Sequence, residues 1–240
     1  MNKLFTLSNL SKSVFICFLL FVLNSISAQT DKFQFGVRGG LNLSTAFVNN
    51  ASAIKFRLGY HIGGTVDYLF APKFALQSGL FLSMQGSTID NMNSGSLTGR
   101  NPDWTHTFNQ LYLQIPVYVA FRTNIANDLN ISIGLGPYLG YGIGGTTKMK
   151  QKSGVYSDGS TTKEWDTFGN GGYDENGYWV KSANLKPFDF GAGIKLDLGY
   201  KKIIFGIGLE TGFINIMNRQ NNKDLEYENV NFRLSAGYRF

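Results

Sequence analysis

Two histidines, His61 and His106, are the only imidazoles that this 240-residue chain can offer as general bases. Acid–base or nucleophilic catalysis would need one of them beside a nucleophile and an orienting group. His61 shares a strand face with Asp67, but six residues of extended chain separate the two by about 20 Å, so they read as interior hydrogen-bonded groups rather than a relay. His106 follows Asp103 and Thr105 in a polar stretch. An outer-leaflet lipid hydrolase would keep its base in such a place; an exposed loop histidine is the simpler reading. Gly134-Leu135-Gly136 invites a nucleotide-binding reading, which fails because no helix follows it. Asp158, Glu164, Asp166, Asp174 and Glu175 lack the spacing of a calcium loop and are balanced by Lys148, Lys150, Lys152, Lys163 and Lys181. The expectation is no catalytic residue, no cofactor and no metal.

The remaining charged positions have a different logic. Arg38, His61, Asp67, Lys195, Asp197, Glu210 and Arg233 each sit in a run whose alternate positions are apolar. In the last run Phe232, Leu234, Ala236, Tyr238 and Phe240 share one face, while Asn231, Arg233, Ser235, Gly237 and Arg239 share the other. Eight such runs can be traced: Phe33–Ser44, Arg57–Leu69, Phe74–Gln85, Asn109–Arg122, Leu129–Gly144, Lys186–Leu198, Ile203–Phe213 and Val230–Phe240. Strands that put aliphatic and aromatic residues on one face and charges on the other suit an antiparallel barrel in lipid, greasy outside and polar within. Counted from the ends of their runs, Arg38, Lys195, Glu210 and Arg233 fall at middle depth. Glu210 is then expected to be the hub that neutralises the cations, with Asp67 and Asp197 nearer one rim. Pro116 and Pro137 each remove a ladder donor, so bulges are expected there.

The connections between runs alternate in length. Phe70–Lys73, Thr123–Asp128 and Gly199–Lys202 are short; Thr45–Phe56, Gly86–Phe108, Gly145–Leu185 and the polar stretch from Asn215 are long. Short periplasmic turns and long outer loops are the rule for outer-membrane barrels, which orients both termini toward the periplasm. Outward aromatics gather near both ends, as interfacial girdles would.

Residues 1–28 read as a cleaved secretory signal, with Lys3 and Lys12 before an apolar core from Val14 to Leu23 and Ala28 at the cut, leaving 29–240 as one barrel domain. Cys17, the one cysteine, falls in the removed part, so no disulfide or thiol chemistry is expected. Without Lys3 and Lys12 the 20 basic residues face 16 acids. That balance carries no basic run and argues against a nucleic-acid partner. Downstream of the signal, no stretch reaches the roughly 18 to 20 apolar residues of a membrane helix.

Phe35–Leu43 (FGVRGGLNL), Leu111–Phe121 (LYLQIPVYVAF), Ile133–Gly140 (IGLGPYLG) and the terminal Ala236–Phe240 resemble the small PorT-like outer-membrane β-barrel proteins of Bacteroidetes-type bacteria. The resemblance covers essentially the whole mature chain and implies a barrel in the outer membrane. It does not imply the secretion or gliding role after which that family is named.

The reading that follows is an eight-stranded antiparallel up-and-down transmembrane barrel with outer-membrane lipid around it. It would be a monomer, with no enzyme activity, and would serve a structural, adhesive or binding role toward an envelope or extracellular partner through loop 145–185. The alternatives are the hydrolase centred on His106 and a soluble lipocalin-like barrel, which would need its apolar face inward. The mature protein is expected to fractionate with outer membrane and to migrate faster on a gel unheated than boiled; recovery in the soluble periplasmic fraction without detergent refutes the reading.

Overall fold

Side chains that alternate between apolar and polar with a period of two call for strands as the elements that organise this chain. In the computed structural model, residues 32–49, 51–92, 104–151, 162–169, 172–173, 179–180, 182–217 and 226–240 are described. Along them run β1 (Phe33–Val48), β2 (Ala51–Lys55), β3 (Arg57–Ala71), β4 (Phe74–Met92), β5 (Trp104–Ala126), β6 (Leu129–Gly144) and β7 (Thr146–Gln151). They are followed by β8 (Thr162–Phe168), β9 (Gly172–Tyr173), β10 (Trp179–Val180), β11 (Ser182–Leu185), β12 (Phe188–Tyr200), β13 (Ile203–Gly212) and β14 (Tyr227–Arg239). The segment read as a signal lies outside the described residues.

Eight of these strands, β1, β3, β4, β5, β6, β12, β13 and β14, pair antiparallel in a closed ring, with β14 meeting β1 from Gly36↔Arg239 to Val48↔Tyr227. This is the up-and-down barrel expected from the alternation. Following the register from Phe33 through Tyr68, Leu76, Val119, Leu135, Ile194, Leu209 and Phe232 returns to β1 at Leu43, ten residues further on. An even offset keeps inward parity inward after a full circuit. With eight strands it sets a tilt of about 40° and a bore that side chains can fill.

The facing assignments hold along the ring. Leu41, Ile62, Leu82, Val119, Leu135, Leu196, Ile207 and Leu234 are exposed on the outside, whereas Asn42, His61, Ser83, Gln114, Ser132, Asp197, Glu210 and Arg233 are buried. Two-residue turns at Pro72-Lys73, Asn127-Asp128 and Lys201-Lys202 close one end, which also holds Phe33 and Phe240. Lys201 takes a left-handed φ of 52°, as a two-residue hairpin turn demands. Aromatic rings line that rim in contact: Phe33 with Tyr68 at 4.8 Å and Phe74 with Phe121 at 5.5 Å between centroids. Lys201 and Lys202 lie over Tyr200 and Tyr238, as cations flanking an interfacial girdle do.

Two expectations are corrected here. Neither proline makes a bulge. Pairing lapses where Pro116 would face Gly79 and where Pro137 would face Val117, but it resumes in the same register beyond each gap, so each proline costs local pairing without inserting a residue. Register shifts occur instead at Leu69/Ala71, Leu111/Tyr112 and Asn124/Ala126.

The second correction concerns the long connections. β4 and β5 run well past Gln85 and Asn109 toward the loop end, β2 pairs with β4, and β7, β8 and β11 continue the sheet edge to edge from β5. Loop 145–185 is therefore partly strand. In these extensions the polarity of the two faces inverts. Ala46, Ile89, Phe108 and Tyr227 point inward and are buried, joined by Leu185, Ile216 and Met217 in one apolar cluster, while Thr88, Thr107, Lys148 and Glu164 face out. Outside is water at that height, so the apolar residues turn in and cap the bore.

Val117 and Tyr118 are neighbours on β5 with 37% and 5% exposure. Val117→Arg is expected to destabilise the protein by about 2–4 kcal/mol in a lipid folding titration because Val117 lies near the centre of the belt. Val117→Leu is expected to stay within about 1.5 kcal/mol of wild type; equal tolerance of both changes would refute the outward assignment.

Candidate functional site

A bore this narrow leaves no choice but to pair its inward charges, because unpaired ions out of water cost several kcal/mol each. The interior is built as layers. Nearest the short-turn end, the Asp67 carboxylate on β3 accepts from Arg122 at 2.6 Å, Gln77 at 3.0 Å and Arg239 at 3.4 Å, and Arg122 also donates to Gln34 at 2.7 Å. Above it Arg38 on β1 reaches across the lumen to Asp197 on β12 with two parallel hydrogen bonds of 2.9 Å, the fork geometry that fits guanidinium to carboxylate. Lys195 approaches the same carboxylate at 3.3 Å. Its ammonium also lies 5.3 Å from the centre of the Tyr118 ring.

The third layer is centred on Glu210 of β13. It accepts from Arg233 at 2.8 Å, Tyr118 at 2.8 Å and Gln114 at 2.9 Å, and the Arg233 guanidinium rests 5.1 Å from the Phe81 ring centre. Beside it, Asn42 donates to the carbonyls of Tyr60 and Met84, and its amide oxygen meets His61 Nδ1 at 2.7 Å. The layer toward the loops holds Asp189, bonded by Asn229 at 2.9 Å and Tyr138 at 3.3 Å. Over that, Tyr227 Oη joins Ser87 and Gln110, and the Phe168 ring of β8 lies against Gly142 and edge-on to Tyr112. The apolar cluster then closes the mouth.

Glycines make room for this filling. A Cβ at Gly193 would stand 2.8 Å from both Tyr118 Oη and Glu210 Cγ, and one at Gly206 would strike the Asp197 carboxylate beneath Arg38. The glycine-rich inner faces of β12 and β13 are thus the floor on which the ion pairs lie.

Of the residues singled out in the sequence, Glu210 and Arg233 meet, and Arg38, Lys195 and Asp197 meet, but the two groups are separate. Arg38 and Lys195 are not neutralised by Glu210. The reason is the tilt: Glu210 lies in register with Asn231 and hence with Ser44 of β1, six residues beyond Arg38, whose own row runs through Gly237. Depth counted from strand ends ignores that offset. His61 and Asp67 belong to different layers. Gln114, Tyr118, Arg122, Asp189, Asn229 and Arg239 were not among the expected network partners; all have inward parity, which places them in the bore without saying which carboxylate each meets.

His106 sits on β5 between Ile89 and Met149 and stacks on Phe108, while the Thr105 hydroxyl is engaged by Asp90. Among the loop acids, Glu164 pairs with Lys148 at 2.6 Å; Asp158, Asp174 and Glu175 lie outside the described residues, as does Asp103. Among the described residues no group of three or more histidine, cysteine or carboxylate side chains converges as a metal site would require. Among the described residues, the lumen holds a cavity of about 50 Å³, enough for a water molecule or two and far short of a channel.

A family model described as an outer membrane protein beta-barrel domain matches residues 27–218. No curated protein matches the chain. Among solved structures, Ail, the attachment invasion locus protein of Yersinia pestis, is 13% identical over 87% of this chain and 99% of its own, with a TM-score of 0.41. Neisserial surface protein A is 9% identical over 86% of this chain and 97% of its own, with a TM-score of 0.37. The translocator domain of the autotransporter NalP from Neisseria meningitidis is 12% identical over 96% and 98%, with a TM-score of 0.25.

Breaking the Glu210–Arg233 pair from the acid side leaves a buried cation. Glu210→Ala is therefore expected to lower folding stability by about 3–5 kcal/mol. Glu164→Ala, which breaks an exposed pair, is expected to cost under about 1 kcal/mol. Wild-type protein in planar bilayers is expected to show no sustained ion conductance; a stable open channel, or equal losses in the two variants, counts against the filled lumen.

Proposed function

This chain belongs to the outer membrane protein beta-barrel domain family, and from that premise we propose that it is a closed, non-conducting barrel whose working surface is its loop-bearing rim. The observation that carries this reading is the seal. Four charged and amide layers fill the bore, and an apolar cap built from β1, β4, β5 and β14 together with Leu185, Ile216 and Met217 covers it. With the bore of the described residues filled and covered in this way, recognition falls to the surface outside the cap. The strands β7, β8 and β11 that rise from that rim supply the surface, and they come from the connection 145–185.

The membrane geometry follows from the same features. The short turns face the periplasm, with the termini, and the rim faces outward, which the turn lengths and the Lys201 and Lys202 girdle support. Residues 1–28 act as the export signal and 29–240 as the barrel, a monomer surrounded by outer-membrane lipid. The strand motifs from Phe35 to Leu43 and Leu111 to Phe121 favour the PorT-like branch in Bacteroidetes-type bacteria. The partner of the rim is an envelope or extracellular component, and no enzyme activity is assigned. The stacking of His106 on Phe108 beside the cap weighs against a hydrolase base. The exposed Leu, Ile, Val and Phe of the outer wall weigh against a soluble lipocalin-like barrel.

The test compares wild-type protein with one in which a short turn replaces residues 152–161, which join β7 to β8. In cells lacking the native protein, antibody to an epitope placed at 152–161 is expected to label intact cells. Adhesion or partner capture seen with wild type is expected to fall at least tenfold in the shortened protein, with heat-modifiable migration retained. Labelling only after permeabilisation, or release of fatty acid from phospholipid that depends on His106, defeats the proposal.

A further inference from the structure

The ion-paired layers of the lower lumen do not balance. Asp67 is shared by Arg122 and Arg239, Asp197 is shared by Arg38 and Lys195, and Glu210 takes Arg233 alone. Five cations thus face three acids in a narrow, largely desolvated space. Asp189, the other interior acid of these layers, lies toward the cap against Asn229 and Tyr138 and forms no ion pair with them. With Asp189 counted, these layers hold five cations to four acids, and the one surplus positive charge at this depth calls for a mobile counter-charge.

The cavity of about 50 Å³ lies where that charge would be placed. Arg38, Lys195, Arg233 and Arg239 line it, with Asp67 and Glu210 already engaged at its margins. Its wall also carries His61, which is 2% exposed and whose Nε2 has no partner. The tautomer is set by its neighbour. Asn42 turns its amide nitrogen to the carbonyls of Tyr60 and Met84, so its oxygen faces His61 Nδ1, which must carry the hydrogen. Nε2 is then a bare acceptor in the cavity wall, and a buried acceptor without a donor is costly.

We propose that this cavity is a small-anion site, holding a halide-sized anion among these cations and one water. The water donates one hydrogen to His61 Nε2 and the other to the anion, so the orphaned acceptor and the surplus charge are satisfied together. Access is from the short-turn end, where the side chains of Arg38, Lys195 and Arg239 keep 12–15% of their surface exposed. The cap closes the other end. The size of the cavity admits chloride or bromide with a water and excludes a large organic anion such as gluconate.

The decisive experiment uses the purified full-length mature barrel in detergent. Crystals grown in sodium bromide are expected to show an anomalous peak inside the lumen beside His61, and the unfolding midpoint is expected to rise saturably with chloride or bromide relative to gluconate at constant sodium. General salt effects instead grow steadily toward molar concentrations without saturating. Arg239→Gln and Lys195→Met, each removing one cation from the lumen, are expected to flatten the halide dependence. If either variant fails to fold, the wild-type bromide map decides alone. Bromide confined to the protein surface is adventitious binding only and overturns the proposal, as does a midpoint that is the same in halide and gluconate.

Discussion

The requirement that every backbone donor and acceptor find a partner where no water reaches is the constraint on which the rest of this molecule depends. A sheet in hydrocarbon cannot keep an edge, so β14 must pair with β1, and it does so over nearly the whole length of both. Closure with eight strands and an offset of ten residues sets the bore. The bore then decides what the inward residues can be. Large polar side chains from one wall must lie over glycine on the opposite or adjoining wall, as Arg38 and Asp197 do over Gly206 and as Tyr118 and Glu210 do over Gly193.

The filling is therefore a packing solution as much as an electrostatic one. Arginine recurs because its planar fork reaches across the lumen and bonds a carboxylate at two points while its flat face packs on a ring, as Arg233 does on Phe81. Glutamine and asparagine recur because an amide can donate to a carboxylate on one side without adding charge. Gln77 does this for Asp67, Gln114 for Glu210 and Asn229 for Asp189. Each carboxylate is thereby held by several donors from different strands, which ties the wall together across the lumen as well as along its ladders.

At the loop-bearing end the environment changes and the same strands respond to it. Where the outer face meets lipid, β4 and β5 show Leu80, Leu82, Leu113 and Ile115 outward. A few residues on, the outer face carries Thr88 and Thr107, and Ile89 and Phe108 are inward. The inversion marks the height at which the barrel leaves the membrane, and it converts the wall of a polar tube into the wall of a small apolar core. Leu185, Ile216 and Met217 complete that core from the connecting segments, so these residues belong to the folded body of the protein.

Much of this was written in the chain itself. The strict period of two in runs such as Leu111–Phe121 sets which side chains meet lipid, because strand geometry allows no other outcome, and the count of eight runs with alternating connections sets the ring. Inward parity likewise named Glu210, Arg233, Arg38, Asp197 and Lys195 as interior. What parity could not supply was who meets whom. Partnership depends on strand tilt and on the register of each ladder, neither of which is a property of any single run. That is why Arg38 belongs with Asp197 rather than Glu210, and why the Asn42 partner of His61 could not be named from the run that holds it. The extensions of β4 and β5, and the strands within 145–185, were hidden for another reason. Above the membrane both faces of a strand can be polar or the apolar face can turn inward, so the pattern that identifies a lipid-facing strand no longer applies, and only tertiary packing decides which residues form the wall and which form the cap.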